Sequence, residues 1–451
     1  MLKTKILKSS VLVTSGFALS QLLRFAGNLI LTRLLTPEYF GLVGIAVVVV
    51  AGINMITDMG FSHSVIRSRN IENRAFLNTV WTLQIIRGFL LSVILLVVAA
   101  FLYNYQANHN DVSNHANIYH DRDLVMVLLV LSIIPIIEGF NSTNIYLQNR
   151  ELKLSRLIII DLVAQVLAVL VTVLLAYYFR NIWALVSGFI VTSLTRLLMS
   201  HLYLEGAPTR FQLDRKTAID VLHFGKWIAL SSLTGFLLSR GEKLLLGGFI
   251  DARLMGLYTL AFFLGNFGYQ VLTKVGSTVF YPVLCEVQRL ENHAQLKKSF
   301  YEIRAKFDIL VALMVGFLFF NGQFLVELLY DDRYHYSGWI LEMLSFTIII
   351  AICSVSEQVF MALGKPRLMT YSQLVHLAVL IPGLYIAMHM KNFELGVIVI
   401  AFSFLPRYGF TLFSLYKIRL FSLIHELATI AYIVFAMIFG WLFSYFLKLS
   451  I

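Results

Sequence analysis

Long apolar runs alternate with short polar turns along nearly the whole chain. Runs such as GLVGIAVVVVAGINMI (41–56), LLSVILLVVAAFLY (90–103) and LVMVLLVLSIIPII (124–137) are continuous, without the two-residue alternation of barrel strands. About 20 such residues as helix cross about 30 Å of hydrocarbon. The pattern predicts helices over 9–32, 39–60, 77–103, 124–147, 155–179 and 182–204, then over 221–246, 255–282, 303–329, 338–363, 371–390, 395–416 and 423–449. The hydrophilic stretch EGAPTRFQLDRKTAID (205–220) separates the two sets. The expected organisation is a six-helix lobe (1–204), a cytoplasmic linker (205–220), a second six-helix lobe (221–418) and one additional helix (419–451).

Composition agrees: 59% of residues are hydrophobic, 14% are charged, and mean hydropathy is +0.79. The class is an all-α polytopic membrane protein with 12–14 transmembrane helices. Lys3, Lys5 and Lys8 ahead of an apolar stretch ending in Ala18-Leu19-Ser20 mimic a secretory signal, but apolar sequence continues to Leu31, so the first helix is expected to be retained. Basic residues cluster in alternate loops: Arg67, Arg69 and Arg74; Arg150, Lys153 and Arg156; Arg210, Arg215 and Lys216; Arg289, Lys297 and Lys298. That asymmetry puts the N-terminus in the cytoplasm and, with an odd helix count, the C-terminus outside. It also accounts for most of the +11 net charge, which therefore implies no nucleic-acid partner.

A corner is written twice. RLLTPEYFGLVGIA and GFIDARLMGLYTLA each break an apolar helix at a polar turn and reach Gly-Leu (Gly41-Leu42, Gly256-Leu257), about 215 residues apart. The same offset lays QNRELKL (148–154) on LGKPRLM (363–369). Two landmarks at one offset argue for two homologous six-helix bundles, related by an axis along the membrane normal because six is even. Such halves enclose a central cavity whose access can alternate.

Three helices carry polar stripes. The first has Ser10, Thr14, Gln21, Arg24 and Asn28; the seventh has Ser232, Ser239 and Glu242 flanked by Arg240 and Lys243; the eighth has Asn266, Gln270, Thr273, Lys274 and Ser277. In lipid these must face protein or water. Small hydroxyls serve helix–helix hydrogen bonds as readily as a cavity wall. Charges discriminate better, since each costs about 2.5–3.5 kcal/mol near the bilayer centre on insertion scales. Arg24, Arg87, Glu138, Arg196, Arg240, Lys274 and Arg407 lie well inside predicted helices, and Asp58, Asp161, Glu242 and Glu357 nearer the ends. Arg196 and Asp161 suit a structural pair. Arg24 and Arg240 match within one residue under the offset and suit an anion clamp. The expected substrate-binding set is Arg24, Arg240, Lys274, Arg87, Asn28, Gln21 and Gln270; Asp58, Glu138 and Glu357 are the candidate ion carriers. Pro135, Pro382 and Pro406 are expected mid-helix, where each removes a backbone bond. Pro135 precedes the polar run EGFNSTN (138–144).

Little points to catalysis or cofactors. There is no phosphate-cradling loop, so this chain would not hydrolyse ATP. Cys285 and Cys353 suit packing, and His109, His115 and His120 share a loop without metal-ligand spacing.

The stretch LTRLLTPEYFGLVGIAVVVVAGINMITDMGFSHSVIRS (31–68) resembles the first helical hairpin of bacterial polysaccharide-transport flippases. EKLLLGGFIDARLMGLYTLA (242–261) resembles their seventh-to-eighth helix turn, with Glu242 in place of the more usual aspartate. VGSTVFYPVLCEVQ (275–288) resembles their Val-x-Phe-Pro-x-Leu segment, with a tyrosine inserted before Pro282. The family belongs to the multidrug/oligosaccharidyl-lipid/polysaccharide exporter superfamily, whose members commonly have twelve or fourteen helices against the thirteen counted here. The resemblance implies an alternating-access flippase, not an enzyme, that carries polyprenyl-pyrophosphate-linked oligosaccharide from the inner to the outer leaflet of the bacterial cytoplasmic membrane. It implies basic residues on helices one and eight as contacts to the acidic head group, here Arg24 and Lys274, with Arg240 beside them. Membrane lipids and the polysaccharide polymerase machinery are the expected partners, and a proton or sodium gradient the candidate driving force. A drug or small-metabolite exporter of the same architecture would favour an acidic, aromatic cavity. A membrane polymerase or ligase would need a larger outer loop than 104–123.

Overall fold

A computed structural model describes residues 2–57, 60–67, 74–108, 117–151, 153–206, 209–288 and 293–450. Every regular element among them is helical. The chain forms two compact units, Met1–Arg253 and Leu254–Ile451.

The first unit holds α1 (Leu2–Leu34), α2 (Pro37–Ile56), the short α3 (Phe61–Arg67), α4 (Arg74–Asn108), α5 (Arg122–Leu131), α6 (Ile133–Gly139), α7 (Asn144–Arg150), α8 (Leu154–Phe179), α9 (Ile182–Leu202) and α10 (Arg215–Gly247). The second holds α11 (Ala252–Gln288), whose first turn crosses the division, then α12 (His293–Leu329), α13 (Tyr336–Leu344), α14 (Ile350–Ala362), α15 (Pro366–His389), α16 (Phe393–Phe402), α17 (Phe404–Lys417) and α18 (Leu423–Ser450). Among the described residues nine helices are long and apolar enough to cross a membrane, and the bent run α5–α7 makes a tenth. Three others, α1, α10 and α11, span 33, 33 and 37 residues, more than a bilayer needs, and carry Arg24, Arg240 and Lys274.

The repeated corner is real at the level of backbone, but the helices restart ahead of the glycines. α2 begins at Pro37, whose fixed φ and missing N–H suit a first helical position, and α11 begins at Ala252, 215 residues later. Gly41 and Gly256 lie one turn inside, both buried. A second corner also recurs. Arg180 ends α8 with φ 47° and Lys391 follows α15 with φ 53°; each is followed by an asparagine, Asn181 or Asn392, that starts the next helix. Asn392 accepts a hydrogen bond from the Leu395 amide at 2.8 Å.

Two of the three prolines end a helix three residues upstream. Ser132 (φ −61°, ψ −18°) separates α5 from α6 ahead of Pro135, and Ser403 (φ −60°, ψ −16°) separates α16 from α17 ahead of Pro406. Each serine turns its hydroxyl back onto the chain, to Leu129 O at 2.6 Å and Ile400 O at 2.9 Å. Pro382 stays within an unbroken α15. Between α6 and α7 the run bends by 63° at 140–143, the polar stretch EGFNSTN.

Within the first unit α10 packs along α2. Phe236 fills the space a Cβ on Gly52 would need, and Gly247 sits against Ile45, Ile118 and Tyr119. Tyr119 donates to Leu244 O at 2.8 Å, and its burial pushes the hydroxyl up to about 12. The linker is strapped to α4: Asn78 and Thr82 bond Gln212, Thr79 accepts from the Asp214 amide, and Phe211 lies 4.8 Å from the Trp81 ring. In the second unit α18 is packed backbone-to-backbone on α12, where a Cβ on Gly316 or Gly440 would collide with the opposing chain.

Candidate functional site

The geometry of α1 follows from two glycines. Gly16 and Gly27 seat Ile158 and Val169 of α8, and between them Ser20 donates to Gln165, whose amide returns a bond to Ser20 O at 2.8 Å. At about 100° per residue, this fixed face turns Gln21, Arg24 and Asn28 away by roughly a sixth to a third of a revolution, Arg24 the least. Gln21 is buried, Asn28 half-buried and Arg24 exposed. The Arg24 charge interacts with Arg196 and Asp161, and with Arg240 of α10. Arg196 and Asp161, one on α9 and one on α8, are joined at 2.6 Å. Three guanidinium groups thus share a region of one unit with Asp161, while Glu138 interacts with Arg196 and Glu242 with Arg240, and the two residues singled out as a clamp, Arg24 and Arg240, are within electrostatic reach of each other.

Below them lies a cavity of about 570 Å³, walled by α2, α4, α6–α9 and the 140–143 break. Arg87 lines it while holding the C-terminal end of α2, donating from Nε to Thr57 O and from Nη2 to Asn54 O, both at 2.7 Å. A cation on the last carbonyls of a helix is favoured by their partial negative charge. Glu138, on the neighbouring α6, accepts from the Ser193 hydroxyl and interacts with the charges of Arg196 and Arg87. Sequence reasoning missed the residue that makes this wall. Gln84 of α4 brings its side-chain amide to three carbonyls at the helix break, Glu138, Gly139 and Asn141, at 3.1, 3.0 and 3.1 Å, the first of which also accepts from the Asn141 amide. Its own oxygen accepts from Tyr146 at 2.9 Å. Gly88 and Gly139 let α4 and α6 touch: a Cβ on Gly88 would sit 2.5 Å from Pro135 O.

The remaining expected site residues are elsewhere. Gln270 lies half-buried on α11 of the second unit; Lys274 is on the same helix, with its side chain outside the described residues. Asp58, His109 and His115 also lie outside them, and among the described residues no cluster could hold a metal ion. Glu357 is buried in the second unit, gripped by Arg407 (Nε to Oε1 3.0 Å, Nη2 to Oε2 2.8 Å) and by Ser372 at 2.6 Å. A second buried network joins Arg304 to Glu426 and Asp308.

This helical architecture is that of polytopic exporters. The chain superposes on the lipid II flippase MurJ in its inward closed conformation with a TM-score of 0.71 at 11% identity, covering 98% of this chain and 93% of that one. An inward-facing multidrug resistance MATE transporter of the MOP superfamily gives 0.65 at 16% identity, covering 89% and 94%. These likenesses establish the fold. A family model described as polysaccharide biosynthesis protein matches residues 30–338, and the chain belongs to that family, the group of polysaccharide-transport flippases. It is 22% identical over 321 residues to the lipopolysaccharide biosynthesis protein WzxC of Escherichia coli strain K12, and likewise to the teichuronic acid biosynthesis protein TuaB of Bacillus subtilis strain 168. Each match covers 70% of this chain but only 61% and 63% of the relatives, less than two thirds of their length.

Proposed function

We propose that this protein is a flippase that moves a polyprenyl-pyrophosphate-linked oligosaccharide from the inner to the outer leaflet of the bacterial cytoplasmic membrane by alternating access. The observation that carries the reading is the grouping of Arg24, Arg196 and Arg240, of which Arg196 is paired with Asp161 and Arg240 interacts with Glu242, so that Arg24 stands among like charges. A guanidinium so placed at membrane depth is costly unless an anion visits it. A pyrophosphate is the matching anion, since guanidinium–phosphate contacts are charge-assisted and strong away from water. On this reading α1 and α10, which carry two of these groups and are each 33 residues long, flank the path of the head group while its lipid tail stays in the bilayer. Relatives named for lipopolysaccharide and teichuronic acid biosynthesis support a carbohydrate cargo. On this reading the N-terminus is cytoplasmic.

The test uses cells depleted of the chromosomal copy and a membrane-impermeant sugar-reactive probe applied to spheroplasts. Lipid-linked oligosaccharide should accumulate on the cytoplasmic face. The intact protein should restore outward delivery, and an Arg24→Ala, Arg240→Ala double variant should not. Normal delivery during depletion, with no second flippase in the cell, would sink the proposal and favour a drug or metabolite exporter.

A further inference from the structure

We infer that the cavity inside the first unit is a carbohydrate subsite that takes the sugar next to the phosphate, an inference that rests on the flippase reading above. Its wall has a chemistry different from that of the cationic cluster beside it. Two guanidinium groups, Arg87 and Arg196, face two carboxylates, Glu138 and Asp161, so the lining charges balance. A second phosphate gains little there. A hydroxyl group, which both donates and accepts, is served by such a mixed set together with the amides of Asn149 and Asn141. Asn141 in addition keeps a buried side-chain oxygen to which nothing donates among the described residues. Such an atom costs free energy until a donor arrives. Leu91, Ile145 and Leu157 supply the apolar area that the C–H faces of a sugar ring cover.

The position of the cavity ties it to the same cargo. Arg196 lines it and also interacts with Arg24. A diphosphate held by Arg24, Arg196 and Arg240 therefore presents its first sugar to the cavity mouth. The wall is rigid where it is read: Gln84 closes the helix break behind it, and the Gly88–Gly139 contact leaves no slack between α4 and α6. A drug-like organic cation would want a surplus of carboxylate and aromatic faces, which this lining lacks.

The experiment uses the full-length protein in cells making their own lipid-linked oligosaccharide, so the sugar need not be known. A photoreactive benzophenone amino acid replaces Leu157 or Ile145 on the cavity wall, Asn28 on the α1 stripe, or Ile159, which is exposed on α8. Only variants that still support surface polysaccharide are irradiated, and adducts are read by mass spectrometry for hexose-bearing fragments. Glycan adducts are expected at 157 or 145 and at 28, with lipid alone at 159. Adding Asn149→Leu should cut the cavity adduct roughly tenfold, the weight of about one good hydrogen bond, and leave the adduct at 28 unchanged. Glycan at 28 but none above the 159 background at 157 or 145 would overturn the subsite and leave the flippase standing. No glycan at any position would overturn both.

Discussion

Arg304 of α12 and Glu426 of α18 meet in a two-pronged ion pair, Nη1 to Oε1 at 2.6 Å and Nη2 to Oε2 at 2.7 Å, with side chains only 1% and 6% exposed. Asp308 stands 3.3 Å from Arg304 Nε, Tyr408 donates to Glu426 at 2.7 Å, and Thr429 donates to Asp308 at 2.6 Å. This ties α18 into the second unit: the helix that reads in sequence as an addition to two sets of six is part of the core. Removing one partner of a buried pair leaves the other uncompensated, at about 3–5 kcal/mol. Glu426→Ala should therefore lower the Tm of the detergent-purified protein steeply, whereas Leu427→Ala, one residue away and exposed, should leave it nearly unchanged. Equal Tm values would mean that α18 is held by packing alone.

Gln84 makes a similar argument for the first unit. One amide reaches three carbonyls at the 63° bend, of which Glu138 O also accepts from the Asn141 amide, so Gly139 O and Asn141 O depend on it most. Each buried acceptor left empty costs about 1–3 kcal/mol. Gln84→Leu should thus destabilise beyond one hydrogen bond, and Tyr146→Phe, which removes the bond to Gln84 Oε1, by about 0.5–1.5 kcal/mol. Thermal melts of the two variants check the order. A larger loss in Tyr146→Phe would contradict it.

The apolar runs told the helices, because continuous hydrophobicity over a bilayer's length has one structural solution. The stripe on α1 was legible from its spacing, and so was the Arg196–Asp161 pair, two charges with no other place to go in adjacent helices. Gln84 was not legible: its partners are backbone carbonyls, which no residue type marks. Nor was Arg304–Glu426, whose members are 122 residues apart and share no local period. The left-handed corners escaped for another reason. Arg and Lys at Arg180 and Lys391 disclose nothing about φ, and glycine would have been the expected sign.

Those corners give a stabilising prediction. A non-glycine residue in the left-handed region carries a steric cost of about 1–2 kcal/mol, and both side chains are exposed. Lys391→Gly should recover part of that cost and raise the Tm, and Lys391→Val, branched at Cβ, should lower it. Should both variants melt with the intact protein, the turn is not strained.

The two described carboxylates considered as ion carriers, Glu138 and Glu357, are placed for different work. Glu357 is inaccessible, and two bonds from Arg407, one from Ser372 at 2.6 Å and one from Thr411 at 3.5 Å leave it no exchangeable face. Such a group holds α14 to α15 and α17; Glu357→Gln leaves Arg407 buried without its counter-charge, at about 3–5 kcal/mol. Glu138 is half-buried on a cavity wall, anchored by one serine hydroxyl and balanced by Arg87 and Arg196. A carrier must be reachable from water and must change partners when it loads. Glu138, on the cavity wall, meets the first condition, and Glu357 does not. Glu357→Gln should therefore reduce the amount of folded protein in the membrane at every imposed gradient. Glu138→Gln should leave that amount intact and make outward delivery of the oligosaccharide indifferent to a proton gradient set across the spheroplast membrane. The reverse pattern, full abundance with lost gradient dependence in Glu357→Gln, would move the coupling site into the second unit.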